Sequence, residues 1–170
     1  MNISLTGVRG TGKTTVSRLL AKKSDKKLFS TDEEIIKKTR LSIERFVKKK
    51  GWDKFREVES EVIEGLCEFD ECIFDTGSGI VLRNENIINL KRNGLVILLT
   101  ADLKTLVTRV TNRKKSTSIA IRKNMDNIKK VLEECEERYK IAADYAIDTS
   151  NLSPEEVCDL IHHYIKMELH

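Results

Sequence analysis

Gly7-Val8-Arg9-Gly10-Thr11-Gly12-Lys13-Thr14 satisfies G-x-x-x-x-G-K-[ST] at every fixed position. Such a phosphate-binding loop works in one architectural setting, between a buried strand and the N-terminus of a helix. Both flanks are present. Met1 to Thr6 (MNISLT) alternates toward an apolar strand, and Thr15-Val16-Ser17-Arg18-Leu19-Leu20-Ala21 reads as a helix. The glycines let backbone N–H groups converge on phosphate oxygens where a side chain would block them. Lys13 adds a point charge near the β and γ phosphates, and Thr14 offers its hydroxyl to Mg²⁺. The positive end of the helix dipole faces the same phosphates. A glycine-rich turn entering a purely structural helix would leave Lys13 and Thr14 without a reason.

The rest of the chain alternates strand and helix signals, which implies βαβ units, right-handed crossovers and a parallel sheet. Leu28-Phe29 delivers Ser30-Thr31-Asp32 to the C-terminal end of a second strand, the edge where open α/β sheets bind ligands. Asp32 suits a ligand role there, or an N-cap role for a helix beginning near Glu33. Apolar residues from Ile43 to Leu66 suit two amphipathic helices broken near Gly51. Arg56 and Glu59 share a face of the second, as an exposed ion pair or as part of a site. Glu71-Cys72-Ile73-Phe74-Asp75 is a strand closing on a carboxylate, a second signature of P-loop enzymes, in which the carboxylate orients Mg²⁺ or its waters. Thr76-Gly77-Ser78-Gly79 follows as a turn. Asn84 to Lys91 reads as a short helix and Leu95 to Thr100 as a buried strand.

From Leu103 to Met125 there are seven basic residues and no acidic one. After an initial helix the stretch Thr111 to Lys123 loses periodicity. It suggests a lid closing over a triphosphate, with a solvated loop or a nucleic-acid contact as the alternative, although aromatics for stacking on bases are missing. Met125, Ile128, Leu132, Cys135 and Tyr139 make a core-facing helical stripe with Arg138 beside it. Tyr145 to Thr149 reads as a last strand. Ser153-Pro154-Glu155-Glu156 opens a final helix with an N-cap, a proline at its first position and early acids.

With 170 residues the chain suits one domain with a substantial core. The net charge of +4 favours anionic ligands without arguing for nucleic acid. Cys67, Cys72, Cys135 and Cys158 form no metal-binding spacing and read as reduced, mostly core thiols of a cytoplasmic protein; the three histidines read as surface residues. A strand at the very start leaves no room for a signal peptide, and no apolar run suits a membrane span.

Taken in order, these landmarks resemble the shikimate kinases of the nucleoside-monophosphate-kinase-like P-loop superfamily over nearly the full length. The likeness rests on G-x-x-G-x-G-K-T-T from Gly7 to Thr15, D-x-x-I at Asp32 and Ile35, Ser42-Ile43 before Phe46, and Phe55-Arg56 with Glu59. It continues with Gly77-Ser78-Gly79 before Val81-Leu82-Arg83, and with Glu137-Arg138 near Tyr139 and Ala143-Asp144, where Tyr139 stands nearer the arginine than in the family pattern. The resemblance implies an α/β fold, the P-loop NTPase three-layer sandwich with about five parallel strands and helices on both faces. It adds a small substrate-binding helical region at about 33–66 and a lid at about 111–124, all in a single domain over 1–170.

It also implies an activity, transfer of the γ-phosphoryl group of ATP with Mg²⁺ to a hydroxyl of a small carboxylate-bearing alcohol, shikimate above all, by a monomer without nucleic-acid or membrane partners. Asp32 would engage the substrate hydroxyls as the base, while Arg56 and Arg138 grip the carboxylate and Gly77, Ser78 and Gly79 lie against the substrate. Gly7, Gly10, Thr11, Gly12, Lys13, Thr14 and Thr15 would hold the nucleotide phosphates, and Arg109 and Pro154 would flank the adenine. Three positions depart from the family pattern. Ser30 replaces the first aspartate of D-x-D, leaving Ser30, Asp75 and Thr14 as the metal set. Ser78 replaces a glycine. The lid motif R-P-L-L is missing, with Arg113, ahead of Arg122, as the candidate catalytic cation. These departures keep two alternatives in view: a kinase of this fold for another acceptor, such as a nucleoside monophosphate or gluconate, and a catalytically weak nucleotide-binding regulatory module.

Overall fold

The structure, a computed structural model, describes residues 1–112 and 118–170, and the side chains of all of these but 118–121. The described residues form a five-stranded parallel sheet from β1 (Asn2–Thr6), β2 (Lys27–Ser30), β3 (Cys72–Asp75), β4 (Gly94–Thr100) and β5 (Tyr145–Asp148), in the order β2-β3-β1-β4-β5. Pleat alternation sorts the strand side chains between two cores. Ile3, Leu5, Ile97 and Leu99 point to one face, where α1 (Lys13–Ser24) contributes Val16 and Leu20 and α8 (Pro154–Glu168) contributes Val157 and Ile161. Phe74, Val96 and Leu98 point to the other. They meet α2 (Thr31–Thr39), α3 (Ile43–Lys50), α4 (Trp52–Leu66), α5 (Asn84–Arg92), α6 (Leu103–Asn112) and α7 (Ser118–Ala142). These are the three layers expected for a P-loop NTPase.

Strand register assembles the site. Leu5 and Ser30 both pair with Asp75, so β1, β2 and β3 end side by side and release the phosphate loop, Asp32 and the Thr76–Gly79 turn at one sheet edge. Helix starts differ in a telling way. Ser30, Ser42 and Ser153 each cap their helix by accepting a bond from a backbone N–H three residues on, and Ser153 with Glu156 completes a capping box. The α1 helix has no such cap. It begins at Gly12, whose φ of 97° suits glycine, and its first amides are left without a side-chain partner.

Two local expectations are corrected. The α2 helix begins at Thr31 rather than near Glu33, so Ser30 is its cap and Asp32 lies in its first turn. The segment from Thr111 to Lys123 is not all irregular: Thr111 and Asn112 end α6, and 118–123 are already helical in α7. The substrate-binding helical region expected at 33–66 corresponds to α2, α3 and α4.

Candidate active site

Among the cavities at the C-terminal edge of the sheet, two border the phosphate loop and Asp32. The first, of about 340 Å³, is bordered by Gly10, Thr11, Gly12 and Thr15 of the phosphate loop and by Arg109 and Pro154 opposite. Gly7 makes the loop possible. Its φ is 138°, and a Cβ there would collide with the backbone carbonyl of Leu99 on β4. Lys13 lies beneath the loop, where its Nζ donates to the carbonyls of Gly7 at 2.6 Å and Val8 at 3.1 Å. Burial depresses its pKa to about 8, against the opposing pull of Asp75 and Asp32. A half-buried ammonium held by two carbonyls at the start of a helix without a side-chain cap suits an anion.

Arg109 is fastened rather than free. Its Nη1 donates to Thr149 Oγ1 at 2.9 Å and to the Gly10 carbonyl at 3.3 Å, while Nη2 donates to the Thr149 carbonyl at 2.7 Å. Thr149, buried at the end of the last strand, donates in turn to the Thr11 carbonyl at 2.9 Å. The guanidinium is thereby fixed beside the loop. Sequence reasoning missed Thr149, because its role depends on the adjacency of β4 and β5.

The second cavity, of about 190 Å³, lies on the α2–α4 side. Asp32, Arg56 and the Gly77–Gly79 turn border it as expected. Arg56 donates to Glu59 at 2.7 Å, and Glu59 is only 1 % exposed, so the pair is part of the cavity floor rather than a surface bridge. The turn is braced on several sides. The Gly77 N–H donates to Thr31 Oγ1 at 2.9 Å, Thr76 Oγ1 donates to the Leu5 carbonyl at 2.8 Å, and the Tyr139 hydroxyl donates to the Ser78 carbonyl. Close packing explains the small residues. A Cβ on Gly77 would lie 2.8 Å from Asp32 Oδ1, and one on Gly79 would collide with the Arg56 guanidinium.

Asp32 joins the two halves. It borders the acceptor-side cavity, yet Lys13, Asp75 and Arg56 all act on its carboxylate. Burial, reinforced by Asp75, raises its pKa, with Lys13 and Arg56 pulling the other way. The Thr14 hydroxyl donates to Asp75 Oδ2 at 2.8 Å, and burial raises the pKa of Asp75 as well. Among the described residues no cluster of three or more His, Cys, Asp or Glu could hold a metal by itself. One hydroxyl and one carboxylate, both hard oxygen donors, fit Mg²⁺ that takes its other ligands from phosphate and water. The Ser30 hydroxyl, by contrast, accepts the Glu33 N–H at 3.3 Å.

Other predicted residues are not brought to the cavities. Arg138 is exposed on α7 and does not border the acceptor-side cavity; Glu134 and Cys135, a turn earlier, do. Arg122 is exposed near the start of α7. Arg113, the preferred lid cation, lies outside the described residues, as does the middle of the expected lid. Trp52 was overlooked although a signal existed, since it stands four residues before Arg56 on one helix face. The Arg56 guanidinium lies 5.2 Å from the Trp52 ring centroid.

A phosphate loop with its lysine beside one cavity, and a second cavity bordered by an aspartate that also feels that lysine, fit an ATP-dependent phosphotransferase on the P-loop NTPase scaffold. Comparison narrows this class. The shikimate kinase family model matches residues 9–166, and the chain belongs to that family. It is 36 % identical over 163 residues to a shikimate kinase of Caldicellulosiruptor bescii, covering 94 % of this chain and 92 % of that protein. A shikimate kinase of Dehalococcoides mccartyi is 39 % identical over 160 residues, covering 94 % and 90 %. The solved structure of shikimate kinase from Acinetobacter baumannii in complex with shikimate superposes with a TM-score of 0.87 at 27 % identity, covering 98 % of this chain and 93 % of that one. No helix of the described residues is long and apolar enough to cross a membrane.

Proposed function

We propose that the protein transfers the γ-phosphoryl group of ATP to a hydroxyl of shikimate, yielding shikimate 3-phosphate and ADP. The observation that carries this reading is Asp32, which borders the acceptor-side cavity while interacting electrostatically with the phosphate-loop lysine. In this scheme the loop amides and Lys13 bind the phosphates, and Arg109 and Pro154 enclose the base. Arg56 takes the acceptor carboxylate in a planar, charge-assisted grip, with Glu59 holding the guanidinium in orientation. Asp32 orients the attacking hydroxyl and accepts its proton, for which an elevated pKa makes it the stronger base. Thr14 and Asp75 are the residues that would hold Mg²⁺, which when bound neutralises charge on the transferring phosphoryl group. Positioning and charge stabilisation supply most of the rate. The α2–α4 helices serve as the acceptor-binding region and 111–124 as the lid, with Arg113 or Arg122 meeting the phosphoryl charge. The protein works as a cytoplasmic monomer on a small molecule, without nucleic-acid or membrane partners.

A coupled assay of ADP release by purified protein tests this. Turnover should depend on shikimate. Nucleotide binding without shikimate-dependent turnover would overturn it, and thermal stabilisation by a nucleoside monophosphate but not by shikimate would point to another acceptor.

A further inference from the structure

The acceptor-side cavity is unbalanced in charge. Among the described residues bordering it Arg56 is the only cation, while Asp32, Glu59 and Glu134 all bring carboxylates. Arg56 is already engaged by Glu59 at 2.7 Å. A guanidinium has five N–H donors, so it can serve Glu59 and a substrate carboxylate together. What it lacks is a second cation on the opposite wall. That wall is α7, and it presents Val131, Glu134 and Cys135. Cys135 is 1 % exposed, and the charge of Arg56 reaches its thiol, which burial nonetheless keeps protonated and neutral. Arg138 is the nearest arginine along α7, and it is turned out of the cavity's border.

We propose that Glu134 and Cys135 of α7 set the affinity for the acceptor, leaving the acceptor carboxylate gripped by the single guanidinium of Arg56 and opposed by Glu134. The inference rests on the reading of the acceptor as shikimate. A neutral thiol contributes no charge-assisted bond where a second planar cation would contribute two, and a carboxylate on the same wall repels the substrate anion. Affinity for the acceptor is therefore set below what the cavity could provide, and the shortfall resides in two adjacent residues.

Steady-state kinetics on the full chain tests this with Cys135→Arg and Glu134→Gln. Cys135→Arg is expected to lower KM for shikimate about tenfold, the effect of one added charge-assisted pair. Glu134→Gln is expected to lower it severalfold. KM for ATP should move in neither. A folded Cys135→Arg protein with unchanged KM for ATP and an unchanged or higher KM for shikimate would overturn the proposal. Should Cys135→Arg fail to fold, Glu134→Gln decides: a KM for shikimate at the wild-type value overturns the proposal, and a severalfold fall upholds it. A wild-type protein that binds ATP but turns over no shikimate would remove the acceptor reading itself, an outcome visible before either variant is made.

Discussion

Asp32 and Lys13 are charged residues in a setting that disfavours charge, and each predicts a pH dependence. Because burial and Asp75 raise the pKa of Asp32, the proposed base is protonated, and idle, at pH values where an ordinary carboxylate is already ionised. The acid limb of the kcat/KM profile, which follows the free enzyme, should therefore fall at a pH above the usual carboxylate range. Asp32→Asn should lower kcat by about 10²–10⁴-fold with little change in the KM for ATP, as expected for loss of a general base. Lys13 runs the other way. Its pKa near 8 leaves it charged at neutral pH, and a bound triphosphate raises that pKa further by opposing charge. Binding is then strongest below about pH 8, and it weakens as pH rises through that value because a neutral Lys13 must take up a proton. Calorimetric titration with ATP in buffers of different ionisation enthalpy should register proton uptake near pH 8.5 but almost none at about pH 6.5.

The elements differ in how much of their role was legible from sequence, and the reason is physical. The phosphate loop, the strand ending at Asp75 and the α8 start are specified by glycines, caps and short-range periodicity, and each stands where local pattern puts it. The α7 helix was harder. It runs 25 residues, and only its later part carries a regular apolar stripe, so its first turns read as a loop. Its contribution to the acceptor cavity depends on packing across from α4, which no local pattern encodes. Arg138 illustrates this: it lies next to Tyr139 in sequence, yet adjacent helical positions are rotated by roughly 100°, and Tyr139 takes the inward place. Tyr139 is 3 % exposed and its hydroxyl donates to the Ser78 carbonyl, so α7 braces the Gly77–Gly79 turn. Tyr139→Phe should keep the fold, raise the KM for the acceptor about three- to tenfold, the worth of one hydrogen bond, and leave the KM for ATP unchanged. An equal rise in both constants would mean that the hydroxyl acts on the whole domain instead.

For the whole molecule, the decisive feature is that the cavity proposed for the nucleotide is bordered by distant parts of the chain: the loop after β1, Arg109 on α6, Thr149 after β5 and Pro154 on α8. A ligand that ties together residues about 140 positions apart can bind only when the complete sheet is assembled. Saturating ATP should therefore stabilise the protein globally, by about 4 kcal/mol at a concentration a thousandfold above Kd. A thermal melt should show one cooperative transition moving upward, and loss of that shift in Lys13→Met, with the ligand-free melting temperature little changed, would separate binding from folding. Removing the ammonium relieves its desolvation but also deprives the Gly7 and Val8 carbonyls of a donor, two opposing effects that keep the change in the ligand-free protein small.

Strand order has a consequence for how the molecule comes into being. Of the five described strands, β1 precedes the others in the chain yet occupies the centre of the sheet, between β3 and β4. As the chain leaves the ribosome, Asn2–Thr6 has no hydrogen-bonding neighbour until residue 75 has emerged, and it lacks its second until residue 100. During that interval the most buried strand of the finished protein is an open edge, the condition under which nascent chains pair wrongly or recruit chaperones. The phosphate loop is thus made well before the strands that hold it in place. ATP binding by a newly made chain serves as a certificate that the central strand has found both of its partners.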